Sequence, residues 1–158
     1  MTNSPLCLHK EFLLEHTNLL LTSYKHWLKR DLIVQTGDPE RDAELLFLAP
    51  CVVVSGGSEA DQLLNYGNQA ALDLWEIPFE TFCGTPSRLT AEPMHQSARA
   101  EFLQRVRNFG FVENYQGVRI SSSGQRFKIE KATVWNLLTA GGSYAGQAAA
   151  FSAWSFCE

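Results

Sequence analysis

The sequence has no closely spaced cysteine pair, no strong charge excess and no long apolar run. Each shortage closes off a class of protein. The four cysteines, Cys7, Cys51, Cys83 and Cys157, lie far apart, and no two form the Cys-x-x-Cys spacing of a zinc ribbon or a dithiol redox centre. A chain of 158 residues builds a core without covalent staples, so four reduced thiols in a cytoplasm are expected. No stretch approaches the ~18 apolar residues of a membrane-spanning helix, and the N-terminus lacks a basic flank followed by an apolar segment. The formal charge is −4, which offers no global cationic field for nucleic acid. Gly56-Gly57-Ser58 lacks the lysine of a phosphate loop, no serine sits in Gly-x-Ser-x-Gly, and no nucleophile–base pattern stands out. His9, His16, His26 and His95 form no metal-ligand cluster, and surface or helix-packing roles are expected for all four. Neither catalysis nor a bound metal is expected.

What is present is material for a core: 45% of residues are hydrophobic and only 19% charged, the composition of a folded domain. The charge is unevenly placed. Residues 31–80 carry ten acids and one base, a balance of −9; residues 99–131 carry seven bases and three acids, a balance of +4. Solvated faces account for most such runs, and a partner surface is the functional alternative.

Helical spacing of Leu13, Thr17, Leu20, Tyr24 and Trp27 or Leu28 predicts a long amphipathic helix over 6–30. Asp38 caps a short second helix with Pro39 in its first turn, and that helix ends before Ala49-Pro50. Cys51–Val54 and Gln62–Tyr66 read as strands. Asn68 caps a helix over Gln69–Trp75. Prolines and Gly84 leave only short turns over 77–91. A further helix spans about 94–109, with Ala98, Phe102, Val106 and Phe109 facing one way and Gly110 at its end. Val112–Ser121, Arg126–Leu138 and Ala145–Phe156 read as antiparallel strands, giving an α+β pattern around one sheet.

A tight hairpin centred on Ser123-Gly124 pairs Ile120 with Phe127 and Val118 with Ile129. One face then carries Val118, Ile120, Phe127, Ile129 and Trp135, and faces the helices. The opposite face carries Arg119, Lys128 and Glu130.

The run Gln62-Leu63-Leu64-Asn65-Tyr66-Gly67-Asn68 through Trp75, with Gly84 beyond, resembles the strand–Asn–helix segment of PAS domains. Gly117-Val118-Arg119-Ile120-Ser121-Ser122, Gly124, Arg126-Phe127, Val134–Leu137, Gly146–Ala149 and Trp154-Ser155-Phe156 resemble more specifically the MEKHLA domain, which is PAS-related. The resemblance implies a PAS-like five-stranded antiparallel sheet with helices on one face over residues 49–158. Residues 1–48 would form an N-terminal helical extension. It also implies a sensory or protein-interaction role, without a catalytic activity or an assigned ligand.

On this reading Asn68, Trp75, Phe102, Val118, Ile120, Phe127, Ile129 and Trp135 are candidates for a small apolar ligand pocket, set against plain core packing. That face offers no charged anchor, and no cofactor is expected. Arg119, Lys128 and Glu130, with Phe12 and Leu19 on the first helix, are candidates for an interaction surface used by a homodimer or another protein. Two other readings stay open. A ketosteroid-isomerase-like enzyme or carrier would need a carboxylate base among apolar residues. A flavin- or haem-bound sensor would be coloured.

Overall fold

A computed structural model of the protein describes residues 10–157, apart from the side chains of residues 93 and 94. Cys7, His9 and the first residues of the expected N-terminal helix lie outside that range. Helix α1 (Lys10–Leu28) buries Leu13, Thr17, Leu20, Tyr24 and Leu28, the stripe read from the sequence. In α2 (Pro39–Phe47) the Asp38 carboxylate accepts from the Glu40 N–H at 3.1 Å. Strands β1 (Val52–Gly56) and β2 (Leu64–Gly67) form a hairpin that leads into α3 (Gln69–Trp75), the single turn α4 (Phe79–Phe82) and a 3-10 turn over Ser87–Thr90. Helix α5 (Pro93–Phe109) is followed by β3 (Phe111–Ile120), β4 (Arg126–Leu138), β5 (Tyr144–Phe151) and β6 (Ala153–Phe156). The sheet is antiparallel in the order β2-β1-β5-β4-β3. After an interruption at Ser152, β6 resumes pairing with β4. No helix among the described residues is long and apolar enough to cross a membrane.

Helices cover both faces. Phe102 and Val106 of α5 pack on Val134, while α1 lies on the opposite face. There Tyr24 meets the buried Trp135 ring edge-on at 4.9 Å, the Trp27 indole N–H donates to the Asn136 carbonyl at 2.9 Å, and the Leu138 N–H donates to the Ser23 hydroxyl at 2.9 Å. Leu13, Leu20, Tyr24, Trp135 and Leu137 belong to one hydrophobic cluster, so α1 closes the same core that the sheet builds.

His16 belongs to this second face. It is buried, stacked between Phe12 and Tyr66 at 5.2 and 5.5 Å. The Ser55 hydroxyl donates to Asn65 Oδ1 at 2.6 Å and therefore accepts from His16 Nε2, 2.7 Å away. Burial lowers His16 to about 4, so the folded protein holds it neutral where the unfolded chain takes up a proton at about 6.5. Stability is then retained above pH 6.5 and lost as pH falls toward 4, roughly 3 kcal/mol in all. Urea unfolding between pH 7 and pH 5, above the ordinary carboxylate range, should show the midpoint fall. In His16→Gln that slope should flatten.

Two features set the sheet's faces differently from the sequence expectation. The hairpin loop has an odd number of residues: Ser121 N–H donates to the Gln125 carbonyl at 2.9 Å, enclosing Ser122–Gly124, with Gly124 at φ +88°. Glycine supplies this left-handed position in three-residue hairpin loops. Arg119 therefore pairs with Phe127, Val118 with Lys128 and Ile120 with Arg126. This is one residue away from the expected pairing, and it inverts every side chain of that part of β3 relative to β4. The second feature is a pair of bulges. Asn114 and Lys131 have positive φ where the β3–β4 register shifts, and the extra residue in β4 moves Trp135 to the face opposite Phe127 and Ile129.

Candidate functional site

Between the sheet and α5 lies a cavity of about 80 Å³. Its floor is the helix-facing side of the central strands, including Ile129, Ala132 and Val134 of β4 and Gln147 and Ala149 of β5. Trp75 and Phe82 close one side, and Arg99, Phe102 and Leu103 of α5 form the roof. Arg99, Phe102, Leu103 and Val106 follow helical spacing, so the buried face of α5 is rotated from the expected one. Ala98 is exposed and so is Phe109. An arginine can occupy such a face because its alkyl stem covers apolar surface while the guanidinium reaches polar space.

Arg119 enters this site through the shifted register. It is buried, Nη1 donating to the Val118 carbonyl at 2.9 Å and Nη2 to the Tyr115 hydroxyl at 3.1 Å. Gly117 permits this bridge: a Cβ there would stand 2.7 Å from the Tyr115 hydroxyl oxygen and 2.8 Å from Arg119 Nη1. The Tyr115 ring stacks on Phe102 at 3.8 Å, which ties the arginine to α5. Burial, and after it the neighbouring Arg119 charge, lowers the Arg99 guanidinium to about 10. Among the described residues no aspartate or glutamate lines the cavity.

The expected pocket residues separate into two groups. Trp75, Phe102 and Ile129 line the cavity. Phe127 stands behind the wall, its ring 5.2 Å from Trp75. Val118 and Ile120 lie on the other face of the sheet because of the odd loop, and Trp135 because of the β4 bulge. The expectation that they share one face with Phe127 and Ile129 is therefore corrected, as is the expectation of no charged anchor. Asn68 is also outside the wall. Its Oδ1 accepts from Val53 and Ala71 N–H at 3.0 and 3.2 Å, and its Nδ2 donates to the Leu46 and Cys51 carbonyls at 3.2 and 2.8 Å. The side chain is fully occupied in joining α2, β1 and α3.

Of the expected interaction surface, Phe12 is exposed, Leu19 is half-buried against the core, and Lys128 and Glu130 are half-exposed and 4.0 Å apart. Arg119 leaves that surface for the cavity. Within the chain the acidic 31–48 segment pairs with other groups, Glu40 with Lys10, Glu44 with Arg41 and Asp31 with Lys25. These are exposed contacts of small energetic weight.

Sequence reasoning placed Arg119 on the interaction surface rather than in the cavity, and did not single out Arg99 at all. A parity argument for an odd hairpin loop would have found Arg119, since Gly124 suits the left-handed position of a three-residue loop as well as it suits a two-residue turn.

The sequence matches the MEKHLA domain family over residues 14–156. Similar solved structures include the PAS domain of a protein from Colwellia psychrerythraea, at 14% identity and a TM-score of 0.61, covering 70% of this chain and 92% of that one. A light-oxygen-voltage domain studied with a flavin analogue has 15% identity and a TM-score of 0.57, covering 75% and 84%. An RNA-binding light-oxygen-voltage receptor has 16% identity and a TM-score of 0.59, covering 77% of this chain and 36% of that one. At these identities the likeness is one of fold. No curated protein matches.

Proposed function

This chain belongs to the MEKHLA domain family, and from that premise we propose that it is a cytoplasmic, non-catalytic sensory module that binds a small molecule between its sheet and α5 and signals through a protein partner or a second copy of itself. The observation that carries the reading is the cavity: its apolar wall, formed by Trp75, Phe82 and Ile129 among others, is interrupted by a few polar groups, which is the usual make-up of a ligand site. Helix α5 forms the roof and also reaches the surface, where Phe109 is 76% exposed. A change in occupancy therefore has a direct route to a partner.

The size of the cavity favours a small ligand. An enclosed engineered cavity that takes benzene measures about 150 Å³; the space here is about 80 Å³ and opens to solvent on one side, so it takes a ligand of a few heavy atoms whose end can protrude, and a three-ring flavin or a haem does not fit it as it stands. The isomerase-like reading draws no support from the wall, where the described residues include no carboxylate to act as base.

Ligand-observed NMR with a library of small organic molecules tests the first part. Binding is expected, and Ala149→Leu, which fills the space from the floor, should abolish it. A library that yields no binder displaced by this change would overturn ligand sensing. Native mass spectrometry at tens of micromolar tests the second part, with a dimer expected; a monodisperse monomer would remove self-association from the proposal.

A further inference from the structure

The cavity wall is unbalanced in its hydrogen bonding. Arg99 Nε and the Trp75 indole nitrogen are buried with no partner among the described residues. Arg119 uses two N–H groups, to Val118 and Tyr115, of the five that a guanidinium carries. It makes no ion pair among the described residues. In the cleft on the outer side of Arg99, Glu59 accepts from the Leu63 N–H and Asp61 pairs with Arg88 at 3.2 Å, so neither carboxylate is joined to Arg99. Two like charges thus share a partly dry site, and the wall's unpaired buried groups are donors. A buried cation without a counter-charge is costly, and a second one beside it makes each worse.

Resting on the ligand-binding reading above, we infer that the cavity takes a small organic carboxylate, with its hydrocarbon body against Trp75, Phe82 and Ile129 and its carboxylate between Arg99 and Arg119. A planar guanidinium presents paired N–H donors that match a carboxylate. The apolar wall and the volume select a body of a few carbons. An inorganic anion would satisfy the arginines and leave that wall bare.

The test is calorimetric titration of the full chain with butanoate, its neutral isostere butanamide, and inorganic phosphate. Butanoate is expected to bind at millimolar concentration or below, with butanamide and phosphate at least tenfold weaker. Arg99→Gln and Arg119→Lys should each weaken butanoate at least tenfold, the second because an ammonium lacks the fork. The ligand-free Arg99→Gln protein should melt no lower than the parent, since one of two mutually repelling positive charges is gone; a purely structural arginine would give a lower melting temperature. Equal binding of butanoate and butanamide, or binding unchanged in both variants, would overturn the carboxylate inference and leave ligand sensing standing. Tighter binding of phosphate than of butanoate would overturn it in favour of an inorganic anion. If no molecule of the organic library enters the cavity either, the reading beneath it falls as well.

Discussion

Asn68→Ala is expected to cost about 3–5 kcal/mol of folding stability, which is large beside the ~5–15 kcal/mol that holds a typical domain together. The side chain is completely buried and makes four hydrogen bonds, two as acceptor and two as donor. Alanine leaves the Val53 and Ala71 N–H groups and the Cys51 carbonyl facing an apolar gap, and the Leu46 carbonyl with its 3.3 Å bond from the Ala49 N–H alone. Each unsatisfied group costs about 1–3 kcal/mol, and the sum is moderated because the neighbouring backbone relaxes or admits water. Denaturant unfolding should show the midpoint fall with an unchanged slope. Asn68→Asp separates the two halves of the network: it keeps both acceptor bonds but sets a carboxylate against the Leu46 and Cys51 carbonyls, so its stability should recover as pH is lowered and the acid is protonated. Gln69→Ala, one residue on and exposed, should change stability by less than about 0.5 kcal/mol.

Gly146→Ala should be comparably damaging for a different reason. Gly146 has φ +127°, and a Cβ there would lie 2.1 Å from the Gly56 carbonyl oxygen. The obstruction is backbone on a paired strand, so no side-chain rotation relieves it. A left-handed backbone costs an alanine roughly 1–2 kcal/mol, and overpacking adds about 1–3 kcal/mol. For a domain of this size such a loss lowers the melting temperature by roughly 10 °C. The damage also reaches the candidate site, because Gly56 and Gln147, which face each other across β1 and β5, both line the cavity. Gly141→Ala is the comparison: a Cβ there comes no closer to other atoms than 4.0 Å, and its effect should be slight. Equal melting temperatures for the two variants would show that β1 and β5 can separate locally without loss of the fold.

Much of this architecture is legible in the residues themselves. The α1 stripe, the Asp38 and Asn68 caps, the two short strands before α3, and three antiparallel strands after α5 all follow from periodicity and punctuation, because those signals act over a few neighbouring residues; that β1 and β2 pair is seen only in the fold. Asn68 was legible as a cap, but not as a hub. Its bonds to Leu46, Cys51 and Val53 reach 15 to 22 residues back, and nothing local announces them.

The candidate site was less legible, and the reason is parity. Ser121-Ser122-Ser123-Gly124-Gln125 supports a loop with an even or an odd number of residues on local grounds. The odd one is stabilised from outside. The Glu76 carboxylate accepts from the Ser121 hydroxyl at 2.7 Å and from the Ser123 hydroxyl, and the Ser122 N–H donates to the Trp75 carbonyl at 3.0 Å. One residue of difference there turns Arg119 from the solvent face into the cavity. One extra residue at Lys131 then sends Trp135 to the side covered by α1.

By itself, then, the sequence determined the class of fold, the strand and helix order and the family, since these rest on hydrophobic period, capping chemistry and turn residues that each segment carries with it. Which face of β3 and β4 meets α5, and so whether the pocket is purely apolar or holds two arginines, was decided only by the tertiary structure. A strand alternates every residue, and the count is set by contacts between the hairpin loop and the distant end of α3.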